Sequence, residues 1–130
     1  MNKISTACII DDDKIFIYTL KKMMEHVNFC SNFMVFNNGL EAVKGLQEIS
    51  EKKETLPDLI FLDLNMPIMD GWDYLEEIKD HSTIKNIRTY IVTSSIDPVD
   101  LDKTKTFETV TSYITKPLNI KKLKELLNSL

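Results

Sequence analysis

A doubly wound α/β sandwich, with five parallel strands flanked by five helices, is the fold class this sequence predicts. Apolar strand-like runs alternate with amphipathic segments along all 130 residues, which is the pattern of β-α-β units. Polar stations close four of those runs: Asp11-Asp12-Asp13, Asp63, Thr93-Ser94 and Lys116-Pro117. In an open parallel sheet the carboxyl ends of the strands share one edge, and ligands bind along it. The two observations agree, because the alternation places those polar residues on that edge.

Residues 5–10 read as the first strand. Phe16, Leu20, Met23, Met24 and Val27 then recur at helical spacing with lysines between them. Residues 32–36 form the second strand, and Asn38-Gly39 is a turn before the helix outlined by Leu40, Val43, Leu46 and Ile49. The run SEKKETLP is a solvated connection. Residues 58–62 are apolar enough to form a central strand covered on both faces. NMPIMDG is loop by its Pro and Gly, and Trp72, Leu75 and Ile78 begin the third helix. Residues 87–92 make the fourth strand. Pro98 opens the fourth helix with Asp97 as its N-cap, and that helix, VDLDKTKTFE, has few apolar anchors and is expected to be the least stable. Residues 111–115 form the fifth strand, and Ile120, Leu123, Leu126, Leu127 and Leu130 line the closing helix. A strand order of 2-1-3-4-5 would set strands one and three side by side and bring Asp11, Asp12 and Asp63 together.

The length sets a single domain, 1–130, with enough surface to bury for an independent core. A formal net charge of -4 argues against nucleic acid as a direct ligand. No apolar run reaches the length of a membrane span, and no signal pattern opens the chain, so a cytoplasmic location is expected. Cys8 and Cys30 lie in or beside strands and read as reduced, buried thiols.

Taken singly, each polar station has an ordinary structural reading. Asp12 or Asp13 could cap the next helix, Asp63 could form a turn, Lys116 could reach along the surface, and Thr93 could simply end a strand. Three consecutive acids exceed what one cap needs, so one is assigned to capping and two to a metal. Clustered carboxylates repel and lose solvation, and a hard divalent cation with oxygen ligands offsets that cost. An acid facing two others, as Asp63 would, is a candidate nucleophile or ligand.

In IIDDD, FLDLNMPIMDGWDYL, IVTSS and SYITKP, in that order and at suitable spacing, the chain resembles the receiver domains of two-component response regulators along essentially its whole length. The resemblance implies a flavodoxin-like fold and a phosphorylation-controlled signalling module. Asp63 would be the phosphoacceptor, taking its phosphoryl group from a histidine kinase or a histidine phosphotransfer protein. Mg2+ would be held directly by Asp12 and through water by Asp11, with Asp63 and the backbone carbonyl of Asn65 also at the metal. Lys116 would contact the phosphoryl group. Thr93 would be the switch hydroxyl and Tyr113 the aromatic that follows it, and Pro117 would follow a cis bond. The chain would catalyse only its own phosphorylation and dephosphorylation. The sequence stops after the fifth helix, and if that is the complete protein its expected output is a phosphoryl relay or a protein contact through the fourth helix, fifth strand and fifth helix, as in receivers of the chemotaxis-regulator type.

One stretch departs from the family. Many receivers carry a small residue and a glycine just before the fifth strand, whereas here Phe107-Glu108-Thr109-Val110-Thr111 occupies that stretch. Two other readings compete. A pseudo-receiver that only binds partners usually lacks a site residue, and none is missing here. An aspartyl-phosphate phosphatase would carry a second aspartate two residues after the nucleophile, where this chain has Asn65. A nucleotide-binding protein is disfavoured, since Gly39, Gly45 and Gly71 form no phosphate-cradling loop.

Overall fold

The computed structural model describes residues 4–130. Strand β1 (Ile4–Ile10) lies between β2 (Cys30–Phe36) and β3 (Leu59–Leu62), and β4 (Arg88–Thr93) and β5 (Val110–Thr115) follow, giving a fully parallel sheet of order β2-β1-β3-β4-β5. Successive side chains of a strand point to opposite faces. In β1, Ala7 and Ile9 therefore enter one core layer and Cys8 and Ile10 the other, all without solvent exposure. Helices α1 (Lys14–His26) and α5 (Ile120–Asn128) close the first layer with Leu20, Met24, Leu123 and Leu126. Helices α2 (Gly39–Glu51) and α3 (Gly71–Ile78) close the second with Ala42, Leu46, Tyr74 and Leu75.

Every α-helix begins on an Asp or Asn whose side chain accepts a backbone N–H of the first turn: Asp13, Asn38, Asp70, Asp97 and Asn119. Helix α4 (Pro98–Thr104) opens at Pro98 as expected, but it stops well short of Glu108. Only Thr104 of this helix is buried, so little apolar contact holds it to the sheet. Its C-terminal side is held by a small cluster. The Trp72 and Phe107 rings lie 6.3 Å apart, and Lys103 Nζ sits 4.5 Å over the Trp72 ring. Phe107, in the stretch that departs from the family, is thus a packing residue.

Other boundaries differ from the sequence reading by a few residues. β2 begins at Cys30 because Ile4 of β1 pairs with it, and a ladder partner recruits polar residues that hydropathy does not mark. Helix α2 runs on through Ser50 and Glu51, which the sequence pattern reads as connection. A 3-10 turn at Ile84–Asn86 carries no sequence signal, and His81 Nδ1 accepts the N–H groups of Thr83 and Ile84 at its start. The cysteines are buried and unpaired, as expected.

Candidate acidic metal site

Sheet hydrogen bonds place the site residues. Just past the strand ends, Asp11 N donates to Phe36 O, Asp63 N to Ile10 O at 3.0 Å, and Lys116 N to Thr93 O at 2.7 Å. Each residue is therefore fixed by the neighbouring strand, and three side chains from β1, β3 and β5 turn toward one another. Carboxylate oxygens of Asp11, Asp12 and Asp63 all lie within 4.8 Å of one another. Asp11 and Asp63 are buried, whereas Asp12 is exposed.

The oxygens of the two buried acids have separate roles. Asp11 Oδ1 accepts from Asp13 N at 2.9 Å, and its Oδ2 faces Lys116 Nζ at 3.0 Å. Asp63 Oδ1 accepts from Leu64 N at 2.8 Å, and its Oδ2 lies 3.5 Å from the same ammonium. Asp13 takes the capping role, with its side chain accepting from Ile15 N and Phe16 N. The division of the three acids into one cap and two acids at the cluster is the one expected.

One ammonium does not balance three carboxylates. Burial pushes the Asp11 carboxyl up to about 6, and the nearby Asp63 charge adds to this against the lowering by the Asp13 N–H and Lys116. Burial pulls Lys116 down, but the hydrogen bond and charge of Asp11, with the charges of Asp63 and Asp13, outweigh it and raise its pKa. Oxygen-only donors at this separation suit a hard divalent cation. This is the only group of three or more potential ligating side chains found among the described residues.

The loop after Asp63 closes one side. Gly71 N donates to Leu64 O at 3.0 Å, and a Cβ at Gly71 would collide with the Asp63 carbonyl and the Leu64 Cα. Glycine is thus required here by close approach of backbone. Ile68 in the same loop has φ 71° and is exposed. Asn65 is exposed in that loop.

Thr93 is fully buried, and its hydroxyl accepts from Ser95 N at 3.3 Å. The half-buried Tyr113 donates its hydroxyl to Ser95 O at 2.8 Å, and Ser95 Oγ donates to Asp100 Oδ2 at 2.6 Å. Ser95 therefore joins Thr93, Tyr113 and the first turn of α4. Lys116–Pro117 is cis, as expected. Two contributors carry no separate sequence signal. Ser95 is one of several small polar residues after a strand. Phe16 follows the helical apolar period, yet its ring lies 4.2 Å from Lys116 Nζ.

The model of the response regulator receiver domain matches residues 7–128. Response regulator Rcp1 of Synechocystis sp. is 29% identical over 116 residues, covering 88% of this chain and 78% of that protein. Some other curated relatives are far longer: the sensor histidine kinase CheAY of Helicobacter pylori is 36% identical over 81 residues, which is 60% of this chain and 10% of that protein. Among solved structures, a two-component response regulator from Cytophaga hutchinsonii superposes with a TM-score of 0.87 at 28% identity, over 98% of this chain and 97% of that one. The phosphorylated cyanobacterial phytochrome response regulator RcpA superposes with a TM-score of 0.80 at 28% identity, over 96% and 89%.

Proposed function

Because the chain belongs to the response regulator receiver domain family, we propose that Asp63 accepts a phosphoryl group from a phosphohistidine protein and that the modification resets a partner-binding surface. The observation that carries this reading is the meeting of Asp11, Asp12, Asp63 and Lys116 at the ends of three parallel strands. The phosphorylated state of RcpA, 28% identical, supports it. The donor would be a histidine kinase or a histidine phosphotransfer protein.

Mg2+ fits the pocket, held by Asp11, Asp12 and Asp63 with the Asn65 carbonyl. When bound it would neutralise charge on the transferred group, which is most of what phosphoryl transfer requires. The chain's own residues do the rest. Asp63 Oδ2 attacks phosphorus as the donor's P–N bond breaks, and the donor ring, protonated at its other nitrogen, leaves as neutral imidazole. Lys116 turns from the carboxylates to the new phosphoryl oxygens as a point charge. The Thr93 hydroxyl supplies a further donor by leaving its contact with Ser95 N. That departure loosens the Ser95 junction, so Tyr113 and α4 carry the change to the face formed by α4, β5 and α5. The chain acts on its own phosphoryl group and turns over no separate substrate.

Intact mass after incubation with Mg2+ and a small acyl phosphate tests this reading. We expect a gain of one phosphoryl group that is lost without Mg2+ and absent in Asp63→Asn. Equal labelling of Asp63→Asn, or failure to bind a stable phosphoryl mimic, would exclude the reading.

A further inference from the structure

Lys116 Nζ lies 3.0 Å from Asp11 Oδ2, 3.5 Å from Asp63 Oδ2 and 4.2 Å from the Phe16 ring centroid. The two carboxylates are shared with any cation that occupies the site, and their pull on the ammonium weakens when their charge is taken up. Phe16 is not shared, because an uncharged ring attracts Lys116 through its quadrupole whatever happens to the acids. It is also well placed to keep its position. Asp13 accepts from Phe16 N at 3.2 Å while donating its own N–H to Asp11 Oδ1 at 2.9 Å, so the start of α1 and the acidic pocket are held as one piece. The ring is partly buried and packs against the core layer beneath α1 and α5.

We propose that Phe16 is a positioning residue for phosphoryl transfer, holding the Lys116 ammonium over the acceptor once the carboxylates are engaged elsewhere. This rests on the reading of Asp63 as the phosphoacceptor. Without the ring, the long flexible side chain of Lys116 would spend more time in solvent, and the developing phosphoryl charge would meet a point charge that is less often in place. The chemistry is unchanged. The bond from phosphorus to the donor breaks with its electron pair leaving on the donor, and the bond to Asp63 forms.

The test is a double-mutant cycle with Phe16→Leu and Lys116→Met, with Phe16→Tyr as the conservative aromatic variant. Acetyl phosphate is the donor, at saturating Mg2+ and over a range of donor concentrations. Phe16→Leu should lower the maximal phosphorylation rate by roughly 3-fold to 10-fold, and Phe16→Tyr should retain the parent rate. In Lys116→Met, Phe16→Leu should have no further effect. Urea denaturation of the four metal-free proteins should show coupling of the same sign between the two positions. An equal rate loss in the Lys116→Met background, a folded Phe16→Tyr that behaves like Phe16→Leu, or no coupling in the metal-free cycle would overturn the proposal. If the parent protein took no phosphoryl group, the fault would lie in the Asp63 reading, and the metal-free cycle would still decide the Phe16–Lys116 contact.

Discussion

Asp11 has a raised pKa of about 6 where the ordinary carboxylate value is 3.8, and the direction sets the behaviour of the pocket. Between those values the folded chain holds a proton that the unfolded chain does not. Metal-free stability from this group is therefore fully present below about 3.8 and lost as pH rises through about 6. Cation binding runs the opposite way, since the ligand must be deprotonated. Mg2+ should bind roughly tenfold more weakly at pH 5 than at pH 7.5 on this account. The Mg2+-induced rise in melting temperature at the two pH values, at fixed ionic strength, checks it, and a pH-independent shift would show that Asp11 does not govern binding. At this scale the sequence named Asp11, Asp12, Asp63 and Lys116 correctly as neighbours, because strand ends fix backbone position. It could not show that the Thr93 hydroxyl turns to Ser95 N or that Phe16 faces Lys116, because those depend on side-chain directions set by tertiary packing.

Ile68 of the loop between β3 and α3, and Gly71 at the start of α3, show how an element can carry the site. At Gly71 any side chain drives the helix start against the Asp63 carbonyl. Gly71→Ala should cost about 1–3 kcal/mol as overpacking and should slow Asp63 phosphorylation, read by urea denaturation and intact mass. Ile68 presents the opposite case. A β-branched residue at φ 71° is strained by about 1–2 kcal/mol, and its exposed side chain recovers little by packing. Ile68→Gly should stabilise the fold by up to about 1 kcal/mol, the gain in strain being partly offset by the entropy of glycine. An unchanged or lower urea midpoint would mean that Ile68 makes contacts that outweigh the strain. Elements were legible where local chemistry decides them, as at Asp97-Pro98 for the start of α4. Their limits were less so where partners decide, as with the polar start of β2 beside Ile4 or the 3-10 turn under His81.

At the scale of the molecule, the parallel order β2-β1-β3-β4-β5 gives two core layers that share one sheet, so opening either exposes β1. Cys8 and Cys30 sample both: Cys8 belongs to the layer under α2 and α3, and Cys30 to the layer under α1 and α5. Burial pushes the Cys8 thiol far up and the Cys30 thiol up to about 11. Neither should react with an alkylating reagent at neutral pH in the native state, and Cys30 should label before Cys8 as urea is raised. Simultaneous labelling would instead indicate that both layers open as one cooperative unit. The two layers were foreseeable from the unbroken apolar run at residues 58–62, which predicts a central strand covered on both faces. Which cysteine lay in which layer was not, because the parity of β2 is set by its register against β1.

Trp72, the only tryptophan in the chain, has one more consequence. It lies on α3, in contact with Lys103 of α4 and near Phe107 beyond it. Its indole emission is therefore an intrinsic optical gauge of where the end of α4 sits, with no dye or added label. Cation binding that leaves α4 in place should leave the spectrum alone, whereas a phosphoryl mimic that moves α4 should shift it. The difference would separate loading of the pocket from delivery of the signal in a single cuvette.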